Sequence, residues 1–486
     1  MPNGIAYLML LIWPFVSLVL FRTLALERAL IWSILGGYLF LPPVAEFNLP
    51  LVPAMDKVSI PNLSVLLILL FGMKQKMHLI PASRAARWLV VGLVLSAIPT
   101  VLTNGDPIIF KALSETDPIV FLTSQLPGQS IRDVGSVLIA QMLALVPFLL
   151  ARQFLSSEQG LREILLALMV GGLIYSIPSL IEIRLSPQIN VWIYGFFQHS
   201  FEQTIRAGGY RPIVFLPHGL WLALFMCTAL LSAAALARHT RAIDRWKMLL
   251  LVAYLAVLLV MSKSLASLAY GIVLVPLVML APARWQVRLA VVFAVVAIVY
   301  PMLRNFGVIP LDAILAQAEA ISPDRAHSLG FRFSNEEQLL ARAAERPLFG
   351  WGGWGRSLVH DAETGALLSI PDGRWIIVFG TFGWLGYVGE FGLLAWPLVL
   401  MGLYIRRHGD AALSPFVAPL AIILGITMMD MLLNATLTPF TWLTAGAILG
   451  HAEKLMPKAY GAARHPIGGR VVLGKAMTRA GKRTVL

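Results

Sequence analysis

The sequence predicts an all-α, polytopic integral membrane protein with about thirteen transmembrane helices and one large external loop. Three observations carry that prediction. Of its 486 residues, 58% are hydrophobic and 13% are charged, about half the charged share of ordinary soluble domains. Apolar runs long enough to span a bilayer recur from end to end. The runs are continuous rather than alternating, which argues against a transmembrane β-barrel.

In chain order, spans are predicted near 4–21, 29–46, 60–73, 88–103, 134–151, 161–180, 212–236, 247–261, 264–280, 287–303, 376–404, 415–433 and 436–450. The run at 60–73 is short, and only "MSKS" (261–264) separates the spans at 247–261 and 264–280. Basic residues mark alternate connections: Arg22 and Arg28; Lys74 to Arg87; Arg152 and Arg162; Arg238 to Lys247; Arg284 and Arg288; Arg406 and Arg407. The stretch 451–486 adds Lys454, Lys458, Arg464 and further cations. By the positive-inside rule, all of these lie on the cytoplasmic side. The net charge of +13 is therefore a topology signal, and no nucleic-acid partner is expected.

The first run has no basic leader and no A-x-A site, so it is expected to be a retained helix. The organisation predicted is a transmembrane domain over 1–450, with 304–375 as its large external loop, and a basic cytoplasmic tail over 451–486 that faces anionic lipid. Cys227 stands alone in an apolar run, and no Cys/His spacing suits zinc. With no nucleotide-binding loop either, no metal and no cofactor are expected.

The stretches 104–133, 181–211 and 304–375 are external on this map. In the last, "FSNEEQLLARAAERP" (333–347) predicts a helix: Ser334 suits an N-cap, Glu337 follows three residues on, and Pro347 stops it. It leads into "ERPLFGWGGWGR" (345–356), whose glycines let backbone approach something closely.

Three cations stand near external helix ends: Arg211, Lys263 and Arg332. Ionisable groups at a membrane are costly unless they pair or bind, and an arginine fork suits phosphate oxygens. Arg211 fits either a headgroup contact or an anionic ligand, and Lys263 either an interface marker or a point charge for that ligand. Asp372 in "SIPDG" (369–373) is either ordinary Asp-Gly turn chemistry or a general base. Trp351 and Trp354 are either interfacial belt residues or a platform for stacking sugars. His218 in "LPHG" reads as a residue lining or packing the mouth of the cavity.

Four motifs in order carry a resemblance. "GGYRPIVFLPHGLWLALF" (208–225) is similar to the arginine motif of the O-antigen ligase/polymerase family. "SKSLASLAYG" (262–271) resembles that family's S-R-S/G helix opening. "RPLFGWGGWGR" (346–356) resembles its external P-x-x-G-x-G turn, and "DGRWIIVFGTFGWLGYVGEFG" (372–392) its H-N-x-x-L…G-x-x-G helix start. The match spans about 205–392.

The resemblance implies an all-helical transferase in the bacterial inner membrane. It would move a glycan from undecaprenyl diphosphate to a glycan or lipid acceptor on the periplasmic face. It implies that Arg211 binds the diphosphate, helped by Lys263 and Arg332, with Asp372 at the position of the family's histidine. It also implies that Gly350, Trp351, Gly352, Trp354 and Arg356 roof the site. The sequence departs from the pattern at Lys263 (arginine in the family), at Asp372 (histidine) and at "PHG" (217–219, usually P-N). These changes suggest a divergent branch. A transporter or flippase would instead want charges within spans and broken helices in two halves, and an assembly scaffold would need no Arg/Asp cluster.

Overall fold

An apolar segment in lipid must satisfy its backbone internally, and a helix forms at every stretch marked above. The structure, a computed structural model, describes residues 1–49, 52–114, 120–206 and 208–456; the basic tail beyond 456 therefore lies outside the described residues. The chain begins with α1 (Gly4–Thr23), α2 (Leu26–Phe40) and α3 (Ser59–Leu67), which a π turn at Ile68–Gly72 prolongs. Next come α4 (Arg84–Leu95), α5 (Ala97–Leu102), α6 (Ile131–Phe154), α7 (Glu158–Leu185) and the short α8 (Ile189–Tyr194). The bundle continues with α9 (Gly219–Arg238), α10 (Ala242–Met261), α11 (Leu265–Leu280) and α12 (Ala283–Asn305). Then α13 (Leu311–Ile321) and α14 (Pro323–Ala344) precede α15 (Arg374–His408), α16 (Val417–Asp430) and α17 (Pro439–Leu455). Two small antiparallel hairpins join β1 (Ile108–Ser114) to β2 (Val120–Leu126) and β3 (Ile205–Arg206) to β4 (Gly209–Tyr210).

Among the described residues seven helices are long and apolar enough to cross a membrane: α1, α4–α5 taken together, α6, α7, α9, α12 and α15. Shorter apolar helices are α3 with its π turn, α11 and α16. At the centre stands α9, buried on nearly all sides and bordered by α7, α10, α11 and α16. Its sequence "ALLSAAALA" (229–237) keeps side chains small, which lets four neighbours approach. Gly446 and Gly450 do the same for α17, where a Cβ at either would run into the α6 backbone.

Contacts sort the loops into two ends. Arg28 pairs with Glu163 at 2.9 Å, Arg152 with Glu453 at 2.8 Å, and the Arg238 guanidinium donates to the Val278 carbonyl at 2.9 Å. These gather the basic connections at one end of the bundle. At the other, the Asn3 amide donates to Tyr194 O at 2.9 Å, Lys57 Nζ to Phe215 O at 2.8 Å, and Thr100 Oγ1 to Phe349 O at 2.6 Å.

The structure corrects several predicted elements. Helix α9 starts at Gly219 rather than near 212, because Pro212 and Pro217 hold 212–218 out of helix. The helix expected over 333–347 begins instead at Pro323, with Ser322 as its N-cap, so Ser334 and Glu337 lie in its interior. Proline at the first helical position is pre-set for that start. Helix α13 and the β1–β2 hairpin occupy stretches with no predicted element.

The 376–404 span is a broken helix. Gly383, at φ 62° and ψ −160°, interrupts α15. Arg374 Nε donates to Glu390 Oε1 at 2.7 Å, although they are 16 residues apart; in a straight helix their Cα atoms would be about 24 Å apart. Residues 374–382 therefore fold back against the long arm, 384–408. A second buried network fixes the short arm to its neighbours: Glu336 of α14 accepts from Arg304 Nε at 2.9 Å, Tyr300 Oη at 3.0 Å and Trp375 Nε1 at 3.3 Å.

Candidate functional site

The site lies at the end of the bundle opposite the basic loops. Arg211 sits just after β4, where its amide donates to Thr204 O at 2.7 Å. The side chain is 7% exposed; its Nη2 donates to Lys263 O at 2.8 Å, and its Nε is buried with no hydrogen-bond partner. Burial, with help from the nearby charges of Arg206 and Arg332, pulls its pKa down to about 10. It remains a cation at any physiological pH.

The loop that carries Arg211 is held from three directions. Glu182 accepts from the amides of Ile213 (2.7 Å) and Val214 (2.8 Å), and from that of Ile189. Gln198 Nε2 donates to Val214 O at 2.8 Å, and Lys57 caps Phe215 O. Val214 takes a left-handed φ of 56°, a strained choice for a β-branched residue that these clamps enforce.

Lys263 also has a left-handed backbone, φ 52°, in the tight turn between α10 and α11. Its Nζ donates to Arg206 O at 2.7 Å. Its carbonyl thus holds Arg211 and its ammonium holds the β3–β4 hairpin. Lys263 thus braces Arg211 against the hairpin, and this uses one of the three N–H donors of its ammonium.

Arg332, on α14, reaches Asp372 at 3.6 Å (Nε to Oδ2), and its Nη1 donates to Asn434 Oδ1 at 3.2 Å and to Leu433 O at 3.3 Å. Asn434 is oriented in turn by Asp430, which accepts from its Nδ2 at 3.1 Å and from Thr436 Oγ1 at 2.7 Å. Asp372 is about one-third exposed, and burial raises its carboxyl above the ordinary value, while Arg332 and His199 pull it back. The two residues line a small cleft with Glu336, Ile370 and Ile376.

His218 caps α9: its Nδ1 accepts from the Leu220 amide at 2.9 Å, which assigns the ring proton to Nε2. Burial, together with His199, Arg211, Arg332 and Arg206, lowers its pKa to about 3, so it is neutral. The His199 ring meets it edge-on with centroids 4.4 Å apart.

The glycine-tryptophan turn is not an open roof. The amides of Trp351 and Gly352 donate to Gly380 O (2.8 Å) and Thr381 O (2.9 Å), and that of Trp384 to Pro347 O (2.8 Å). The turn is stitched to the break in α15. Trp351 is buried, its Nε1 donates to Arg342 O, and the guanidiniums of Arg342 and Arg346 lie 3.4 and 4.3 Å from its ring centroid. It is no free stacking surface. Arg356 is 1% exposed and binds the carbonyls of Pro127 (2.8 Å) and Asp106 (2.9 Å), so it faces no ligand. Gly350 and Gly352 serve the same backbone junction. Only Trp354 of this group is open, at 58% exposure, on the rim of an apolar cavity of about 150 Å³ that adjoins the Asp372 cleft across Leu339 and Ile376.

The structure thus joins Arg211 to Lys263 by a hydrogen bond, Arg332 to Asp372 by an ion pair, and Arg332 to Arg211 by charge. Sequence reasoning missed Arg206, His199 and Asn434. Arg206 lies five residues before Arg211 and had a visible signal; the other two meet the site only through folding. Among the described residues no group of three or more His, Cys, Asp or Glu could hold a metal ion. No protein-family model matches the chain, and no curated protein is similar enough to match it.

Proposed function

We propose that this protein is a membrane glycosyltransferase of cell-surface polysaccharide synthesis, similar to O-antigen ligases and polymerases. It crosses the bacterial inner membrane about thirteen times and uses an undecaprenyl-diphosphate-linked glycan on the periplasmic face. The observation that carries the reading is Arg211: a buried arginine with an unpartnered Nε, beside a second arginine that meets a carboxylate. Buried charges are expensive unless something pairs with them, and a diphosphate supplies the partner.

In this reading the acceptor hydroxyl gives its proton to Asp372. Its oxygen attacks the anomeric carbon, the bond from that carbon to the diphosphate oxygen breaks, and the lipid diphosphate leaves with the electron pair. Arg211 and Arg332 stabilise the charge that develops on it. Neutral His218 offers an Nε2–H donor to the same oxygens. Direct displacement inverts the anomeric configuration.

Arg211→Ala is expected to abolish glycan product while the protein still accumulates in the membrane, and Arg211→Lys to restore part of it, since the planar fork is lost. Normal product from Arg211→Ala would refute the reading. The broken helix α15 is a feature that transporters also use. Export of a glycan with no new covalent linkage would identify that second function.

A further inference from the structure

We propose that Arg206 is a second diphosphate-binding guanidinium, held in place by Lys263. The inference rests on the function proposed above and adds a residue to its site. In the β3–β4 hairpin Arg206 pairs with Gly209 and Ile205 with Tyr210, and the ladder continues through the bond from the Arg211 amide to Thr204 O. Side chains alternate faces along a strand. Residues 204, 206, 209 and 211 therefore share one face, and Arg206 and Arg211 are diagonal neighbours, at a spacing of about 7–8 Å.

The residue opposite Arg206 is a glycine, and that is where Lys263 enters: a Cβ on Gly209 would be 2.6 Å from Lys263 Nζ. The ammonium fills this notch and donates to the Arg206 carbonyl. Two arginines and a lysine thus crowd one face of a four-residue hairpin. No carboxylate answers them: Arg206 is half-buried and its guanidinium has no hydrogen bond or ion pair among the described residues, while Arg211 keeps its orphaned Nε. Like charges held this close without a counter-charge destabilise the protein until an anion arrives. Two phosphoryl groups match two forks, and the backbone bond from Lys263 keeps the forks at a fixed spacing. The charge that the resemblance assigns to the 263 position is supplied here from 206.

The test is binding of geranylgeranyl diphosphate to the full chain in nanodiscs, with geranylgeranyl monophosphate and inorganic pyrophosphate run in parallel. The expected result is that wild type prefers the diphosphate lipid. Arg206→Ala should weaken it by about 10-fold or more, the worth of a charge-assisted bond, and Arg206→Lys should recover part of the loss. Gly209→Ala, which displaces the ammonium, should weaken it too. Thermal stability of Arg206→Ala should equal or exceed that of wild type, since the side chain holds nothing in the ligand-free protein and its removal relieves the repulsion with Arg211. Equal binding by wild type and Arg206→Ala, with Arg211→Ala impaired, overturns the role of Arg206 and leaves the proposed function standing. No diphosphate binding by wild type overturns both. If pyrophosphate binds as tightly as the lipid, and Arg206→Ala weakens both, the role of Arg206 holds and the diphosphate comes from solution.

Discussion

Gly350 and Gly383 each leave room for the peptide just before the other: Thr381–Phe382 lies where a Gly350 side chain would be, and Leu348–Phe349 where a Gly383 side chain would be. A Cβ on Gly350 would collide with the Thr381 carbonyl, and one on Gly383 with the Leu348 carbonyl; both residues have left-handed φ, 69° and 62°. Two backbones cross here with nothing between them, and the crossing ties the turn at 347–352 to the break in α15.

Alanine at either glycine should therefore destabilise the protein. Left-handed backbone costs a non-glycine residue about 1–2 kcal/mol, and overpacking adds about 1–3 kcal/mol. Thermal unfolding in detergent checks this. An unchanged midpoint for Gly350→Ala would mean that the two backbones are not in contact.

Asp372→Asn separates base from turn. Asparagine serves an Asp-Gly turn equally well, whereas loss of a general base costs about 10²–10⁴-fold in rate. Product formation by Asp372→Asn should fall in that range, and near-normal product would leave Asp372 a turn residue. Stability should move the other way. Burial raises this carboxyl in the folded state, so its contribution to stability is fully present below the unfolded pKa and lost as pH rises through the folded one. At neutral pH the neutral asparagine should be as stable as aspartate or more so. In the wild type, product formation should drop on acidification at a pH above the usual carboxylate range.

Glu182→Ala should loosen the Arg211 loop. It orphans the buried amides of Ile189, Ile213 and Val214, at about 1–3 kcal/mol for each group left unpaired. Hydrogen exchange at these three amides should accelerate strongly, while the part of α17 around Gly446 and Gly450, packed on α6, should keep its protection. Unchanged exchange at Ile213 and Val214 would show that Glu182 does not hold the loop.

An introduced cysteine at Leu348, which is 62% exposed, should react with a membrane-impermeant reagent in cells whose outer barrier is opened. One placed within 457–486 should not, because the basic connections are expected to stay inside. Labelling of the tail under those conditions would invert the map.

Much of the bundle was legible because lipid leaves an apolar run one solution, so helix existence followed from hydropathy alone. Arg211 and Asp372 were legible for a related reason, since each stands where an apolar run begins, whereas Arg332 is one of many charges in 304–375. The fold-back of α15 was not. Gly383 lies among Gly380, Gly386 and Gly389, and which one breaks the helix depends on the turn at 347–352, more than thirty residues earlier. The same turn misled on function. A glycine-rich aromatic stretch has one signature whether its backbone approaches a ligand or another backbone, and here Trp351 and Arg356 are used up inside the protein. Arg206 was passed over because it precedes the recognisable motif, and Asn434 because its partner, Arg332, is about a hundred residues away.

The fold-back of α15 also decides where Asp372 stands. Asp372 hangs from the short arm, which Arg374 and Glu390 fasten to the long one. At about 1.5 Å per residue the long arm, 384–408, measures about 37 Å, more than the roughly 30 Å of hydrocarbon it must cross. A straight helix over 374–408 would be longer still, by about 15 Å, and would carry Asp372 away from the end of the bundle. Doubling back instead returns it to α14 and to the Arg332 guanidinium, so the break at Gly383 is what places this carboxylate.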